Sequence, residues 1–248
     1  MPIKDRRTKI LLLLYLIGEF EWVNVNEDLQ RIFDIYFNQK TKGTLNSMVN
    51  KDLIEKKEDT EELIYRITDK GLQYLCLEFP YFRYFHREWD GTWRIISYEI
   101  PENKRFLRDR LRREMRGWGL GPWHRSFWLT PHPIIPSLRE LVSGKEEQQY
   151  IQAFESTHVF GDMDDLVEKV WEKSKLDLLY RDLFKQWHAV LSNERDNLGK
   201  MQEVIYGLIR VIRDDPGLPK SLVGKDWIGF EAFKLYKEIR SILMKPTT

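Results

Sequence analysis

Lysine and amide side chains are concentrated between residues 39 and 57. Apolar residues recur there at helical spacing, at Leu45, Met48 and Val49, so an amphipathic helix is predicted from about Thr41. Its opposite face carries hydrogen-bond donors and no acids. Ammonium groups bind phosphate oxygens, and amide or hydroxyl groups hydrogen-bond to base edges. The candidate DNA-contacting residues are therefore Lys40, Lys42, Thr44, Asn46, Ser47, Asn50, Lys51, Lys56 and Lys57.

The flanking segments are expected to position this helix at the surface of a small domain. Apolar spacing predicts an amphipathic helix over residues 6 to 17 and a second helix that begins after the N-cap Asn26 and runs to Tyr36. Two β-prone runs, at 53 to 57 and 63 to 68, are separated by a polar turn, which predicts a hairpin. Three helices followed by a hairpin is the order of a winged helix-turn-helix domain, whose third helix enters the DNA major groove. Double-stranded DNA is the partner that this order predicts.

A simpler interpretation of the same region remains open. Three short helices and a hairpin can form any small α+β module, with lysines as ordinary solvated surface. The predicted wing tip is acidic, with Asp59, Glu61 and Glu62, and acids repel phosphate. The wing tip is therefore not expected to contact the DNA backbone.

Length and composition set limits on the whole chain. Its 248 residues allow one large domain or two to three small ones, and its formal net charge of +1 gives no sign of a polyanionic partner when taken as a whole. The single cysteine, Cys76, excludes an intramolecular disulfide and fits a reducing compartment. The most apolar run, residues 10 to 17, is much shorter than the roughly 20 residues that span a bilayer. We therefore expect a cytoplasmic protein without a membrane segment.

The middle of the chain alternates between strand and helix patterns. A β-prone run at 92 to 100 precedes a helical stretch at 102 to 118, and a second strand is predicted at 123 to 130. Residues 135 to 145 suggest a further helix, and 149 to 160 a further strand or pair of strands. This order predicts a ferredoxin-like α+β sandwich.

Several segments in this region and beyond resemble the PaaX family of transcriptional repressors. The first is WDGTWRIISYEIPENKRFLRDRLRREMRGWGLGPWHRSFWLTPHP, which is similar to the central domain of the family. The segments at 162 to 187 and 213 to 239 are similar to its C-terminal helical part, with the DPxLPxxL and DW-x-G signatures. The three motifs occur in the family's order, and with the winged helix included the resemblance covers nearly the whole chain.

The resemblance implies a fold, a function and partners. It implies an α+β protein with a winged helix-turn-helix over residues 1 to 80, a ferredoxin-like domain over 81 to 161 and a helical bundle over 162 to 248. It also implies a homodimeric, non-enzymatic repressor that binds a DNA operator and is released by an aryl acyl-coenzyme A ligand. No cofactor or metal is implied.

Candidate effector-binding residues lie in the predicted ferredoxin-like domain. The helix at 102 to 118 carries a stripe of arginines next to its apolar face, and aromatic residues are dense nearby. Guanidinium groups can bind the phosphates of DNA or those of coenzyme A. The alternative is a solvated helix face paired with acids, beside ordinary aromatic core. The effector candidates are Arg94, Arg105, Arg108, Arg112, His124, Arg125 and Trp128.

A metal-dependent nuclease is the alternative function. The family's central domain is itself similar to the small CRISPR-associated adaptation endonuclease, in which an aspartate near the end of the first strand holds a divalent metal. The matching stretch here has Glu99, and a lone carboxylate is a weak metal site. The five histidines form no paired ligand motif, and no phosphate-binding glycine loop is present. Nothing in the sequence calls for catalysis.

The last third of the chain is predicted to be helical. Leucines including Leu178 and Leu179, followed by Leu183 and Trp187, are expected on the apolar side of one helix. Such a helical bundle offers a dimerisation surface or packs within its own chain, and periodicity does not distinguish the two.

Overall fold

A computed structural model describes residues 3–60, 62–85 and 88–244. The chain divides into two compact units. The first contains the chain up to Glu78, Arg181–Arg210 and the residues from Ala232 on, and the second contains Phe79–Tyr180 and Val211–Glu231. The three-domain division at residues 80 and 161 stays a prediction. Among the described residues, no helix is both long enough and apolar enough to cross a lipid bilayer.

The N-terminal residues of the first unit form a winged helix-turn-helix, as predicted. Three helices precede the hairpin, a short strand between the first two helices completes an antiparallel sheet of order β1-β3-β2, and a fourth helix follows. The short strand has no sequence signature of its own, because two residues carry no periodicity. The elements are α1 (Arg6–Gly18), β1 (Val23–Asn24), α2 (Glu27–Phe33), α3 (Gln39–Asn50), β2 (Ile54–Asp59), β3 (Glu62–Ile67) and α4 (Asp69–Glu78).

Asparagine side chains cap the first turns of α2 and α3. The Asn26 side chain accepts a hydrogen bond from the Leu29 N–H, as its predicted N-cap role requires. Helix α2 ends at Phe33 rather than Tyr36, because Asp34 adopts a left-handed conformation. The Asn38 side chain then accepts from the Thr41 N–H, so α3 begins at Gln39, two residues earlier than predicted.

Helix α1 was predicted to be amphipathic, and this is wrong. Every residue from Ile10 to Leu16 is buried, so the helix lies inside the first unit instead of along its edge. Tyr236 in the C-terminal part of the unit donates a hydrogen bond to the Leu16 carbonyl at 2.8 Å. The apolar run is thus core, and later segments of the chain cover the side of α1 that sequence spacing left open.

The second unit contains the predicted ferredoxin-like domain. Its βαββαβ order and its antiparallel sheet of order β5-β6-β4-β7 confirm the prediction. One detail differs: the strand expected at 123 to 130 is a hairpin of two strands, because Arg125 turns the chain with a φ of 28°. The elements are β4 (Thr92–Tyr98), α5 (Arg105–Gly117), β5 (Gly121–His124), β6 (Phe127–Thr130), α6 (Ile135–Val142) and β7 (Ile151–Thr157).

The described residues that follow β7 are mostly helical. On α8 the buried positions are Leu176, Tyr180, Leu183 and Trp187, spaced three and four residues apart. Leu178 and Leu179 are exposed, which corrects their predicted place on the apolar side. The helices are α7 (Met163–Trp171), α8 (Lys173–Leu191), α9 (Asn197–Ile212), α10 (Lys220–Val223) and α11 (Ile228–Leu243).

Candidate nucleic-acid interface

Helix α3 presents a polar face to solvent. Its buried side consists of Thr41, Leu45 and Met48, which pack into the first unit. The opposite side, about half a turn away, holds most of the predicted DNA-contacting residues. Lys40, Lys42, Asn46, Ser47, Asn50 and Lys51 are all exposed there.

The remaining predicted residues differ in accessibility. Thr44 is half-buried, and its Oγ1 donates to the Lys40 carbonyl at 2.9 Å, so its hydroxyl proton is used within α3. Lys56 and Lys57 are exposed on β2. The Lys57 Nζ lies 4.7 Å from the centre of the Trp22 ring, a cation–π distance that positions the side chain on the hairpin.

The lysines of this surface lack acidic partners. Within residues 3–60, 62–85 and 88–244, Lys40, Lys42, Lys51 and Lys56 form no ion pair, since no carboxylate oxygen comes within 4.0 Å. An unpaired ammonium group on an exposed helix has its charge available for a polyanion. Exposed cations and amides together form a surface that can bind phosphates and hydrogen-bond to base edges.

The tip of the hairpin has the opposite charge. Glu58, Asp59 and Glu62 are exposed at the end of the β2–β3 hairpin, and Glu62 accepts a hydrogen bond from the Asn24 side chain. Glu61, which the wing-tip prediction also named, lies outside the described residues. The acidic groups that the structure describes fit the expectation that the tip stays off the DNA backbone.

Sequence reasoning missed two residues on the exposed face of α3. Gln39 is exposed in the first turn, and the signal that could have found it is the N-cap Asn38 one residue before. Gly43 is also exposed, and a Cβ added there would meet no atom within 4 Å. Glycine inside a helix costs about 1 kcal/mol relative to alanine, and packing within the described chain does not require it. The close approach of another molecule to this helix would explain a glycine at this position.

Arg94, a predicted effector residue, is buried within its own domain. Its side chain is 7% exposed, and it donates to Asp90 at 2.7 Å, to Glu155 at 3.0 Å and to the carbonyls of Thr92 and Pro131. The bond to Asp90 is the largest cause of the raised pKa of Arg94, and the same bond lowers the pKa of Asp90. With these acceptors in place, Arg94 links β4, β6 and β7.

The arginines of α5 are also engaged. Arg108 donates to Glu102 at 2.7 Å, and Arg105 lies 3.7 Å from Asp109. Arg110 contacts the buried Glu147. The pairs that Glu102 and Asp109 form agree with the alternative interpretation, in which the arginine face of this helix is paired with acids.

The other effector candidates fall into separate places. Arg112 donates to the Tyr98 hydroxyl at 2.6 Å, and the Trp128 Nε1 lies 3.4 Å from the same oxygen, so these two candidates meet at Tyr98. Trp128 is buried, whereas His124 and Arg125 are exposed at the β5–β6 turn. The structure therefore brings Arg112 and Trp128 together and leaves the other candidates at three further places.

Glu99, the residue on which the nuclease alternative depends, is exposed after β4. In the part of the chain that the structure describes, no three histidine, cysteine, aspartate or glutamate side chains are grouped so that they could hold a metal ion. His86 lies outside that part.

The DPxLPxxL signature has a structural explanation. Asp215 accepts hydrogen bonds from the Tyr180 hydroxyl at 2.6 Å and from the Gly217 N–H at 2.7 Å. Burial raises the pKa of Asp215 to about 6, although both hydrogen bonds oppose that shift. The Nε2 of His132 lies 3.3 Å from the Pro216 carbonyl, and burial lowers the pKa of His132 to about 3. The signature thus anchors a buried turn in the second unit.

A winged helix with an exposed basic third helix, together with a ferredoxin-like domain, defines a DNA-binding regulator. Residues 86–168 match the family model described as PaaX protein central Cas2-like domain, and residues 171–248 match the PaaX-like protein C-terminal domain. The two matches together cover more than half of the chain. The chain belongs to the PaaX family, a family of DNA-binding transcription regulators.

A solved structure supports the fold. The chain is similar to Uncharacterized protein Rv0674 from Mycobacterium tuberculosis, with a TM-score of 0.55 and 19% sequence identity over 96% of this chain and 95% of that one. At this identity the likeness concerns the fold alone. No curated protein matches the chain.

Proposed function

We propose that this chain is a cytoplasmic, homodimeric transcriptional repressor that binds a double-stranded DNA operator through α3. The observation that carries the proposal is the exposed face of α3, where Lys40, Lys42 and Lys51 have no acidic partner among the described residues. Two surface lysines elsewhere, Lys175 and Lys185, lie within 3.2 Å of a carboxylate, whereas Lys220, Lys225 and Lys234 also form no ion pair among the described residues. What favours a polyanion as the partner of α3 is therefore the grouping of unpaired lysines with exposed amide side chains on one helix face.

The residues of α3 divide by role. The lysines bind phosphate oxygens and set the register of the helix on the duplex, while Asn46, Ser47 and Asn50 reach base edges in the major groove. Amide side chains can form two hydrogen bonds with adenine, so sequence discrimination rests on the two asparagines. The acidic tip of the hairpin stays away from the phosphates.

A homodimer sets the form of the operator. Two copies related by a two-fold axis read two half-sites in inverted orientation, spaced by about one helical turn or a multiple of it. One basic helix per copy provides few phosphate contacts, so specific binding depends on both copies together.

Family resemblance supports an aryl acyl-coenzyme A as the ligand that releases DNA. Arg113 and Arg116 are exposed on α5, form no ion pair among the described residues and offer cations to the phosphates of coenzyme A. The Arg116 guanidinium lies 5.8 Å from the centre of the Trp128 ring. Direct contacts of these arginines and of Trp128 with the ligand are part of what we propose.

Selection of DNA by the purified protein tests the proposal. Fragments that bind should share an inverted repeat, and the protein should bind that repeat far more tightly than random duplex at physiological salt. A reporter placed behind the repeat should be repressed, and acyl-coenzyme A compounds should release the DNA. Equal affinity for selected and random duplex would falsify the proposal.

Incubation of nucleic acid with the protein and Mg²⁺ or Mn²⁺ tests the nuclease alternative. We expect the nucleic acid to remain intact. Cleavage by the wild type that disappears in a Glu99→Ala variant would contradict the proposed repressor function and support the nuclease.

A further inference from the structure

The two edges of the central sheet differ in how they are protected. Strand β5 has four residues, contains Pro122 and has an irregular register between Pro122 and His124. At its start, Gly121 packs so closely on Val170 and Trp171 that a Cβ would collide with both. Short length, proline and bulges are the usual devices that prevent an edge strand from pairing with another chain.

Strand β7 has none of these devices. Its seven residues, IQAFEST, include no proline or lysine, and its register with β4 runs without interruption from Thr157 to Ile151. Six of the seven residues are exposed, and Phe154 in the middle is 50% exposed. Among the described residues, β7 has a strand neighbour on one side only. An open edge of this length with a central aromatic residue is a template for a further strand.

The hydrogen bonds between β4 and β7 show which groups point outwards. The Glu99 N–H donates to the Tyr150 carbonyl at 2.9 Å, one position beyond the pair formed by Tyr98 and Ile151. Pairing alternates along antiparallel strands, so Gln152, Phe154 and Ser156 direct their backbone groups to β4. The remaining members of the strand, Ile151, Ala153, Glu155 and Thr157, direct theirs to the open edge.

We propose that a second copy of this chain docks on β7, strand to strand and antiparallel, so that the two four-stranded sheets form one continuous sheet of eight strands. This inference rests on the homodimer of the proposed function and names its surface. In such a pair the outward N–H and C=O groups of one β7 must face those of the other. A two-fold axis that pairs all seven residues of both strands allows one register only. In that register Phe154 lies opposite Phe154 of the partner subunit.

The side chains of β7 are self-complementary in this register. Glu155 lies opposite the partner's Ala153, so the single charged residue of the strand does not face itself. A shift of two residues in one direction would place the two Glu155 side chains opposite each other. Glu155 is also neutralised within its own chain by Arg94, at 3.0 Å.

Phe154 occupies the favourable place in this pairing. The central pair is of the non-hydrogen-bonded type, in which Cα atoms are closest and aromatic side chains contact across the strands. DNA is a poor occupant of the same edge, because β7 contains no cation and one acid.

Disulfide cross-linking tests the register. In Phe154→Cys, the two introduced thiols lie directly across the axis, and mild oxidation should give a covalent dimer in high yield. In Gln152→Cys each thiol lies opposite Ser156 of the partner subunit, so this variant alone should not cross-link, while a mixture with Ser156→Cys should. The wild-type chain, whose single Cys76 is buried, is the background control.

Sedimentation tests the surface without a cross-link. Ala153→Pro removes an outward N–H without removing a hydrogen bond to β4, and it should raise the dimer dissociation constant at least tenfold. Ala153→Val keeps the N–H and should leave the dimer intact, and circular dichroism reports whether each variant is folded. If Ala153→Pro prevents folding, Phe154→Lys provides the same test.

The outcomes separate this inference from the proposed function. A wild-type dimer that persists in Ala153→Pro, with no cross-link in Phe154→Cys, overturns the docking surface and leaves the repressor dimer intact. A wild-type monomer overturns the docking surface and the homodimer together. A dimer that cross-links as expected but shows no specific DNA binding supports the surface and contradicts the repressor.

Discussion

Helix α3 and the central domain both carry an excess of positive charge, and they use it differently. On α3 and β2, exposed lysines face solvent, and Lys40, Lys42, Lys51 and Lys56 have no carboxylate partner among the described residues. In the central domain, Arg94, Arg105, Arg108 and Arg110 each pair with an acid of the same unit. The lysines of the first region are available to bind a partner, whereas many arginines of the second region form ion pairs within their own unit.

The difference shows why a charge count along the sequence is a poor guide to a binding site. Between residues 90 and 133, nine basic residues face five acidic ones, a larger excess than around α3. Glu146, Glu147 and Glu155 lie outside that window, yet they pair with Lys104, Arg110 and Arg94. Availability depends on tertiary contacts, which the linear sum does not contain.

Arg94→Ala should produce the largest effect and test whether the charges of the central domain are structural. The substitution leaves two carbonyls and two carboxylates without their donor, so we expect the free energy of unfolding to fall by about 3 kcal/mol. Urea denaturation measures this loss. Arg105→Ala, at an exposed position with a 3.7 Å contact, is the matched control and should cost less than about 0.5 kcal/mol. Equal costs would remove the distinction between the two arginines.

Much of the fold could be predicted because local patterns and tertiary packing agree. Asn26 caps α2, and the ferredoxin-like order follows from alternating strand and helix patterns. Failures occur where packing overrides the local signal: α1 is buried on all sides, Leu178 is exposed, and Arg125 divides one expected strand into a hairpin. Periodicity reports one apolar face and does not show what later segments will cover.

The exposure of one face of α3 was easier to predict than the surroundings of the effector candidates, because only the latter depend on contacts between distant parts of the chain. An exposed helix face follows from the positions of Leu45 and Met48 alone, since the outer residues need no partner. The role of Arg94 follows from Glu155, which is 61 residues away in the chain. The pair meets only because β4 and β7 are neighbours in the sheet, and no local pattern contains that information.

The pH dependence of stability should separate the two regions further. A buried carboxyl group whose pKa differs between the folded and the unfolded state makes the free energy of unfolding depend on pH. Asp215 has a folded-state pKa of about 6 against an ordinary value of 3.8, so its protonated form stabilises the fold below pH 4 and this contribution is lost as the pH rises to 6. The stability advantage of Asp215→Asn over wild type should therefore grow by about 1.4 kcal/mol per pH unit across that window.

Thermal or urea denaturation of both proteins at several pH values measures this difference. His132 shifts the stability in the opposite direction, because its pKa of about 3 makes the folded state lose stability as the pH falls below 6.5. Since His132 is present in both proteins, its contribution cancels in the comparison. An advantage that does not change between pH 4 and 6 would mean that Asp215 titrates normally.

Lys42→Ala should weaken DNA binding without affecting stability. Loss of one phosphate contact reduces the slope of log affinity against log salt by about 0.9 and lowers affinity for all sequences alike. Fluorescence anisotropy over a salt series gives both quantities. Arg108→Ala, which removes a cation already paired with Glu102, is the control and should leave the salt slope unchanged. A slope that changes equally in both variants would abolish the contrast between α3 and α5.

Asn50→Ala, on the same face of α3, should relax sequence discrimination while leaving the salt slope in place. In the proposed complex the uncharged amide contacts a base edge, so its loss should reduce the difference in binding free energy between operator and random duplex by about 1–3 kcal/mol. Competition binding with single-base operator variants locates the affected position. An unchanged ranking of those variants would show that Asn50 does not read a base.

Gly43→Ala gives the smallest and most specific test of the contrast. The added Cβ meets no atom within 4 Å, so better helix propensity should raise the free energy of unfolding by up to about 1 kcal/mol. In the proposed DNA complex the same methyl group would lie between α3 and the groove, and we expect affinity to fall about tenfold, or about 1.4 kcal/mol. Gly117→Ala on α5 also adds a Cβ in open space and should leave DNA affinity unchanged. If α3 were only a solvated surface, Gly43→Ala would raise the free energy of unfolding without lowering the affinity for DNA. A variant that is more stable and also binds its operator less well therefore supports contact between α3 and DNA.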